Sequence, residues 1–167
     1  MTTQIIIREN VNVSLSTYEQ SHRDTLFQFY LPEEQLQFTS MPRNALPIAL
    51  EDIHRHPVVI LANEVPVGFF ILYNGQERTN YTNNSKSLIL RALSINYKDQ
   101  NKGYAKLALL QLCEYVKEHF SEIEEIALAV NARNNAAINL YLKCGFVDEG
   151  RTRMGPKGLQ HLLTLFL

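Results

Sequence analysis

The chain has 167 residues, 46% of them hydrophobic and 20% charged, with a formal net charge of -1. That is an ordinary globular balance, and the length favours one domain, 1–167, able to bury roughly 70% of its unfolded surface. It excludes an overall basic field for nucleic acid or anionic lipid, and no apolar run approaches the roughly 18 residues needed to span a bilayer.

The opening "MTTQIIIREN" lacks the basic flank and long apolar core of a secretory signal, so no leader is expected. Two cysteines, Cys113 and Cys144, fall in predicted helices. A disulfide framework is not expected, and the composition points to a reducing cytoplasm.

In chain order, "IIIRE" (residues 5–9) and "VNVSL" (residues 11–15) are short apolar segments, at least one of them a strand. Ser16, Thr17, Glu19 and Gln20 offer overlapping capping boxes for a helix ending near Tyr30. Pro32 suits the first turn of a second helix, and Pro47 lies near the start of a third over residues 44–54. "HPVVILAN" and "VPVGFFILYN" read as a hairpin turning at Asn63-Glu64. The polar loop of residues 74–87 is expected to be mobile.

"LILRALSI" then reads as a strand, "QNKGYA" (residues 100–105) as a turn, and residues 104–120 as one long helix. Ala105, Ala108, Leu109, Leu112, Cys113, Val116 and Phe120 form its apolar stripe. "IEEIALAV" is the next strand, and "NNAAINLYLKC" a helix capped by Asn134 and stopped at Gly145. "FVDEG" and "LQHLLTLFL" close the chain as strands joined by "RMGPKG". Strand, helix, strand around Gly103 makes a βαβ unit with parallel strands, whereas the hairpins make the whole sheet mixed.

The turn "QNKGYA" is where chemistry is expected. A helix N-terminus offers unpartnered N–H groups and positive potential to a phosphate. Gly103 permits close backbone approach and positive φ, Gln100 brings an amide donor, and Lys102 and Lys106 bring charge. Neither the P-loop pattern nor the dinucleotide fingerprint is present. Taken alone, the turn is a weak signal, better read as an ordinary strand-to-helix connection with a glycine.

A second stretch decides between these readings. "NARNNAAINLYLKCGF" carries Asn131, Asn134, Ala137, Tyr141, Gly145 and Phe146 directly after a strand. Together with "QNKGYA", it resembles the GNAT superfamily of acetyl-CoA-dependent N-acetyltransferases, whose element order matches the whole chain. Two departures are Asn101, where the family usually has glycine, and Ala105, a common variant of its last small residue.

The resemblance implies an α/β (α+β) fold: a mixed, strongly twisted sheet of six to seven strands, helices on both faces, and a βαβ cofactor-binding core. It implies a splay between the two central parallel strands that holds the pantetheine arm. Leu93 and Ile95 would bond that arm through their main chains. The diphosphate would lie on the amides of Asn101, Lys102, Gly103, Tyr104 and Ala105, with Gln100 alongside and Asn134 opposite. The reaction is direct attack of a primary amine on acetyl-CoA, the main-chain N–H near Ile95 serving the oxyanion and Tyr141 standing next to the thioester sulfur. A phenol of pKa ~10 facing a thiol of ~8.5 is a poor full proton donor, uphill by about 2 kcal/mol. Tyr141 is therefore expected to donate a hydrogen bond, its bland alternative being a buried core aromatic.

Some polyamine-acetylating members carry a carboxylate four residues before the position of Ile95. Arg91 stands there, against a cationic polyamine, unless it is merely a surface arginine. Glu34, Asp52, His54 and His56 fall in regions that wall the acceptor pocket. Phe27, Tyr30 and Phe38 line that pocket or belong to the core. No general base stands out, and His54-Arg55-His56 lacks a third ligand, so no metal is expected. The expected partners are acetyl-CoA and an amine, without nucleic acid or membrane. The tail "LLTLFL" is either an inner strand or the edge of a homodimer. A non-catalytic acyl-CoA-binding regulator and another kind of nucleotide-binding protein are the competing readings.

Overall fold

The structure is a computed structural model that describes residues 11–167. The first of the two candidate strand segments, residues 5–9, lies outside them. Its neighbour forms β1 (Val13–Thr17), followed by β2 (Arg55–Ala62), β3 (Val65–Tyr73), β4 (Ser87–Ile95), β5 (Glu125–Asn131), β6 (Val147–Gly155) and β7 (Gly158–Phe166). Among the described residues these make one seven-stranded mixed sheet in the order β1-β2-β3-β4-β5-β7-β6. The β2–β3 hairpin turns at Asn63 and Glu64, both at positive φ (49° and 69°), the left-handed pair that a two-residue hairpin requires. The apolar tail is the inner strand β7, between β5 and β6. The sheet edge on that side is the largely exposed strand β6, so the dimer-edge reading does not apply to the tail.

The helices are α1 (Arg23–Phe27), α2 (Glu33–Leu36), α3 (Pro42–Glu51), α4 (Tyr104–Leu110), α5 (Leu112–His119) and α6 (Asn135–Lys143). One face of the sheet packs Leu88, Leu90, Ile126 and Leu128 against Ala108, Leu109, Leu112 and Val116 of α4 and α5 and Tyr141 of α6. The other packs Val59, Phe69 and Ile71 against Leu26 of α1 and Leu46 and Ala49 of α3. The expected fold class is thus the observed one. Among the described residues no helix is long and apolar enough to cross a membrane.

Several boundaries differ from expectation. Ser16 and Thr17 end β1, and the capping box forms between Glu19 and His22 instead, opening a 3-10 turn that runs into the short α1. Pro32 is the extended cap residue of α2, not a member of its first turn. Helix α3 begins at Pro42, in its first turn, so Pro47 is an interior proline. The long helix is broken at Gln111 (φ -94°, ψ -5°). The Gln111 side chain reaches across to the Val13 carbonyl at 2.8 Å, a tertiary contact that local periodicity does not encode. β6 runs on through Met154, shortening the last turn to Pro156-Lys157.

The loop of residues 74–87, expected to be mobile, is tied down. It contains a 3-10 turn over Gln76–Asn80. Thr82 donates its hydroxyl to the buried Glu125 carboxylate, Ser87 Oγ donates to the Asn84 carbonyl at 2.7 Å, and Arg151 Nη1 donates to the Tyr81 carbonyl at 2.8 Å.

Candidate active site

The site follows from where the parallel strands part. β4 and β5 pair at Ser87↔Glu125, Leu88↔Ile126 and Ile89↔Ala127, and no further. From Leu90 to Ile95, the β4 edge that faces β5 borders a cleft instead. The cleft has a volume of about 1000 Å³ and is walled by both diverging strands, the Gly103 turn, α6, the segment leading into α3, and the β6–β7 turn.

β4 also carries an irregularity that the sequence did not announce. Its register against β3 shifts between Phe69/Ser94 and Ile71/Arg91. Three steps on β4 oppose two on β3, and Ala92 takes up the extra residue at φ 57°. A bulge of this kind bends the strand and re-aims the side chains beyond it. Small size at Ala92 is its one local signature.

Two side-chain donors reach this stretch. Thr39 Oγ1 donates to the Leu93 carbonyl at 3.1 Å, and Gln100 Nε2 donates to the Ile95 carbonyl at 2.9 Å. Gln100 and Gln35 also exchange amide hydrogen bonds in both directions, at 2.8 and 3.0 Å. Both amide hydrogens of Gln100 thus have acceptors within the chain. Ser94, buried on the same strand, has a hydroxyl without a hydrogen-bond partner among the described residues, and it lines the cleft. Thr39, Gln35 and Ser94 were not foreseen, because nothing in their local sequence marks them.

The turn after β4 has the backbone that "QNKGYA" suggested. Asn101 is at φ 63° and Gly103 at φ 83°, and Gly103 is the cap residue of α4. A Cβ built on Gly103 would meet nothing within 4 Å, so the turn is open to a ligand. Alternating left-handed residues aim successive N–H groups into one concavity, a form that suits an anion. Lys102 lies 3.8 Å from Asp99. On the opposite wall, Asn134 caps α6 by accepting from the Ala137 N–H at 3.3 Å, which leaves its side-chain NH₂ unengaged there.

Tyr141 projects from α6 and is buried, its ring 5.4 Å from that of Phe146 in an edge-to-face arrangement. Burial, with a smaller contribution from neighbouring Cys144, raises its pKa far above the ordinary phenol value. Burial likewise raises the Cys144 thiol, which Lys106 partly offsets. Tyr141 lines the cleft together with Leu93, Ile95, Gln100, Asn101, Gly103, Tyr104, Ala105 and Asn134. Lys102, by contrast, is exposed beside the cleft without lining it.

On the other face of the sheet, Arg91 is half-buried, not a plain surface residue. Its guanidinium lies 4.2 Å over the Tyr73 ring and 5.4 Å from the Tyr81 ring centroid. Of the expected acceptor-wall residues, Glu34 and Phe38 line the cleft, while Asp52, His54 and His56 do not.

The sheet thus opens between its two parallel central strands, beside a turn with left-handed residues at Asn101 and Gly103. Comparisons with known proteins give the family. The profile of the acetyltransferase (GNAT) family matches residues 17–146. The Bacillus subtilis (strain 168) protein named "uncharacterized N-acetyltransferase YbbJ" is 45% identical over 157 residues, covering 93% of this chain and 98% of that one. Among solved structures, an uncharacterized protein from Bacillus halodurans superimposes with a TM-score of 0.77 at 19% identity, over 95% of this chain and 86% of that one. The aminoglycoside acetyltransferase AAC(6')-Ib bound to coenzyme A gives 0.74 at 19% identity, over 93% and 95%. The chain belongs to the acetyltransferase (GNAT) family.

Proposed function

We propose that this is a single-domain N-acetyltransferase that passes the acetyl group of acetyl-CoA to a primary amine. The observation that carries the proposal is the end of β4–β5 pairing at Ile89↔Ala127. It leaves the main chain from Leu90 to Ile95 bordering a cleft that leads to the Gly103 turn.

The residues present fit the cosubstrate. The open left-handed turn suits a diphosphate, held by the amides of Asn101 to Ala105. Lys102 and Lys106 add positive charge nearby, and Gln100 shapes the turn through Gln35 and Ile95. An amide-bearing pantetheine arm suits the main chain of Leu93 and Ile95, with the Asn134 NH₂ reaching from the far wall. Acetyl-CoA supplies an activated acyl group with a thiolate leaving group.

The chain's own residues then have three tasks. The cleft walls position the thioester and the amine around the reacting carbon. A main-chain N–H near Ile95 donates to the oxygen that gains charge. Tyr141, held neutral by burial, donates a hydrogen bond toward the departing sulfur. Its raised pKa makes full proton transfer more uphill than the roughly 2 kcal/mol of an ordinary phenol against a thiol, so Tyr141 keeps its proton. The C–S bond breaks to give a hydrogen-bonded thiolate. The proton lost by the attacking amine passes to water, from which the thiolate is then protonated.

The test is release of free thiol from acetyl-CoA with a panel of amines, alongside calorimetric binding of coenzyme A. Amine-dependent thiol release that slows in Tyr141→Phe supports the proposal. Binding without turnover on any amine would assign a non-catalytic acyl-CoA-binding module instead.

A further inference from the structure

The cleft opens on both faces of the sheet, and the two faces differ chemically. The Gly103 turn and Tyr141 belong to the face of α4 and α6. Arg91 belongs to the other, beyond Ile89, which packs with Tyr73 and Ala127, and it lines the cleft there with Tyr81. The guanidinium is braced. Besides the Tyr73 ring 4.2 Å beneath it, Nη2 donates to the Tyr81 hydroxyl at 3.3 Å. Tyr81 is fixed in turn by Arg151 at its carbonyl and by Arg153, 4.8 Å over its ring.

This positive charge is poorly compensated. Among the described residues its carboxylate partner is Glu77 at 3.9 Å, whose side chain is 65% exposed against 21% for Arg91. A long ion pair to so exposed a partner is weak. Of the carboxylates that line the cleft, Asp99 faces Lys102, and Glu34 is exposed to solvent. Lys157, in the β6–β7 turn, and Lys106 are further cations lining the cleft.

A guanidinium held over the face of an aromatic ring still has N–H groups to offer a planar or tetrahedral oxyanion. We infer that Arg91 reads an oxyanion carried by the acceptor molecule itself. The preferred acceptors are small primary amines that also bear a carboxylate or phosphate, and dicationic amines are disfavoured. This names the acceptor class of the acyl-transfer site proposed above and rests on that reading.

The test compares wild type, Arg91→Gln and Arg91→Lys with acetyl-CoA. The amines are β-alanine against β-alaninamide, ethanolamine phosphate against ethanolamine, and 1,4-diaminobutane. Each preference is read as a ratio of kcat/KM values and compared between variants, so that differences in amine basicity cancel. In wild type, at least one oxyanion-bearing amine is favoured over its neutral partner, and the two arms tell carboxylate from phosphate. That preference falls at least tenfold in Arg91→Gln and partly returns in Arg91→Lys, which keeps the charge but not the fork. An equal preference in wild type and Arg91→Gln, or diaminobutane as the best acceptor, overturns the inference. Calorimetric titration of the coenzyme-A-loaded protein with β-alanine and ethanolamine phosphate reads the same site without turnover. At least tenfold weaker binding to Arg91→Gln is expected, and equal binding overturns the oxyanion site. Binding that depends on Arg91, with no acetylation of any amine, would keep the oxyanion site and remove the acyl-transfer reading.

Discussion

Gln35 and Gln100 face each other amide to amide, each donating to the other at 3.0 and 2.8 Å. The pair fastens the short helix α2 to the residue that opens the anion turn, and Gln100 then reaches the Ile95 carbonyl. Gln35 is therefore a positioning residue. In Gln35→Ala, a neutral hydrogen bond of about 1 kcal/mol is lost at each amide. The expected outcome is a several-fold rise in KM for acetyl-CoA with kcat within about twofold, read from steady-state kinetics. A kcat loss at unchanged KM would show that the pair serves the chemistry directly.

Tyr141→Phe removes one hydroxyl from a buried ring and leaves its packing on Phe146. We expect kcat to fall by roughly 10- to 100-fold, the scale of one positioned donor, with coenzyme A affinity little changed by calorimetry. The sign of the pH effect is fixed by the raised pKa. Below the ordinary phenol value of ~10, folded and unfolded chains both keep the proton, so Tyr141 adds no pH dependence to stability. Above it, the unfolded chain ionises first, and stability falls as pH rises. The kcat profile should show no basic limb from Tyr141 up to about pH 9.5. Such a limb, lost in Tyr141→Phe, would contradict the hydrogen-bonding role.

Two glycines separate backbone strain from crowding. Gly103→Ala meets no neighbour within 4 Å but must hold φ 83°, a strain of about 1–2 kcal/mol. Gly68→Ala would place its Cβ 2.6 and 2.8 Å from the Ile95 and Ile60 Cδ1 atoms and 3.0 Å from the Ser94 carbonyl, overpacking worth about 1–3 kcal/mol. We expect Gly103→Ala chiefly to raise KM for acetyl-CoA. Gly68→Ala should chiefly lower Tm, because it pushes on the bulged segment of β4. Thermal melts and kinetics on both variants check the contrast.

Thr82 holds the buried Glu125 carboxylate where the parallel strands begin to pair. Thr82→Ala strands a buried acceptor, at a cost of about 1–3 kcal/mol, so Tm should fall by several degrees at about 2–4 °C per kcal/mol. Combining it with Glu125→Gln should give less than the sum of the two losses. Full additivity would show that the pair does not interact in solution.

What the sequence made legible was local. Asn134 and Gly145 bracket α6, Asn63-Glu64 turns the hairpin, and Gly103 takes its left-handed place, because each acts on its own backbone within a few residues. The βαβ order gave the parallel pair and the sheet's mixed character. What escaped was tertiary: the break at Gln111, made with a β1 carbonyl; the bulge at Ala92, visible only against β3; and the anchoring of residues 74–87 by Glu125 and Arg151. Arg91 was singled out by its position along β4. Its bracing by Tyr73 and Tyr81 brings residues from three segments together, and no spacing rule joins them.

Three residue pairs, Ser87↔Glu125 to Ile89↔Ala127, are all the ladder that joins β1–β4 to β5–β7. The sheet is in effect two slabs sharing a short seam, spread like pages at a spine. Whatever amide-bearing chain lies between those pages mends the sheet from within. Amide hydrogens of residues 90–95 and 128–131 should then exchange more slowly with coenzyme A present, while those along β2 and β3 stay as they were.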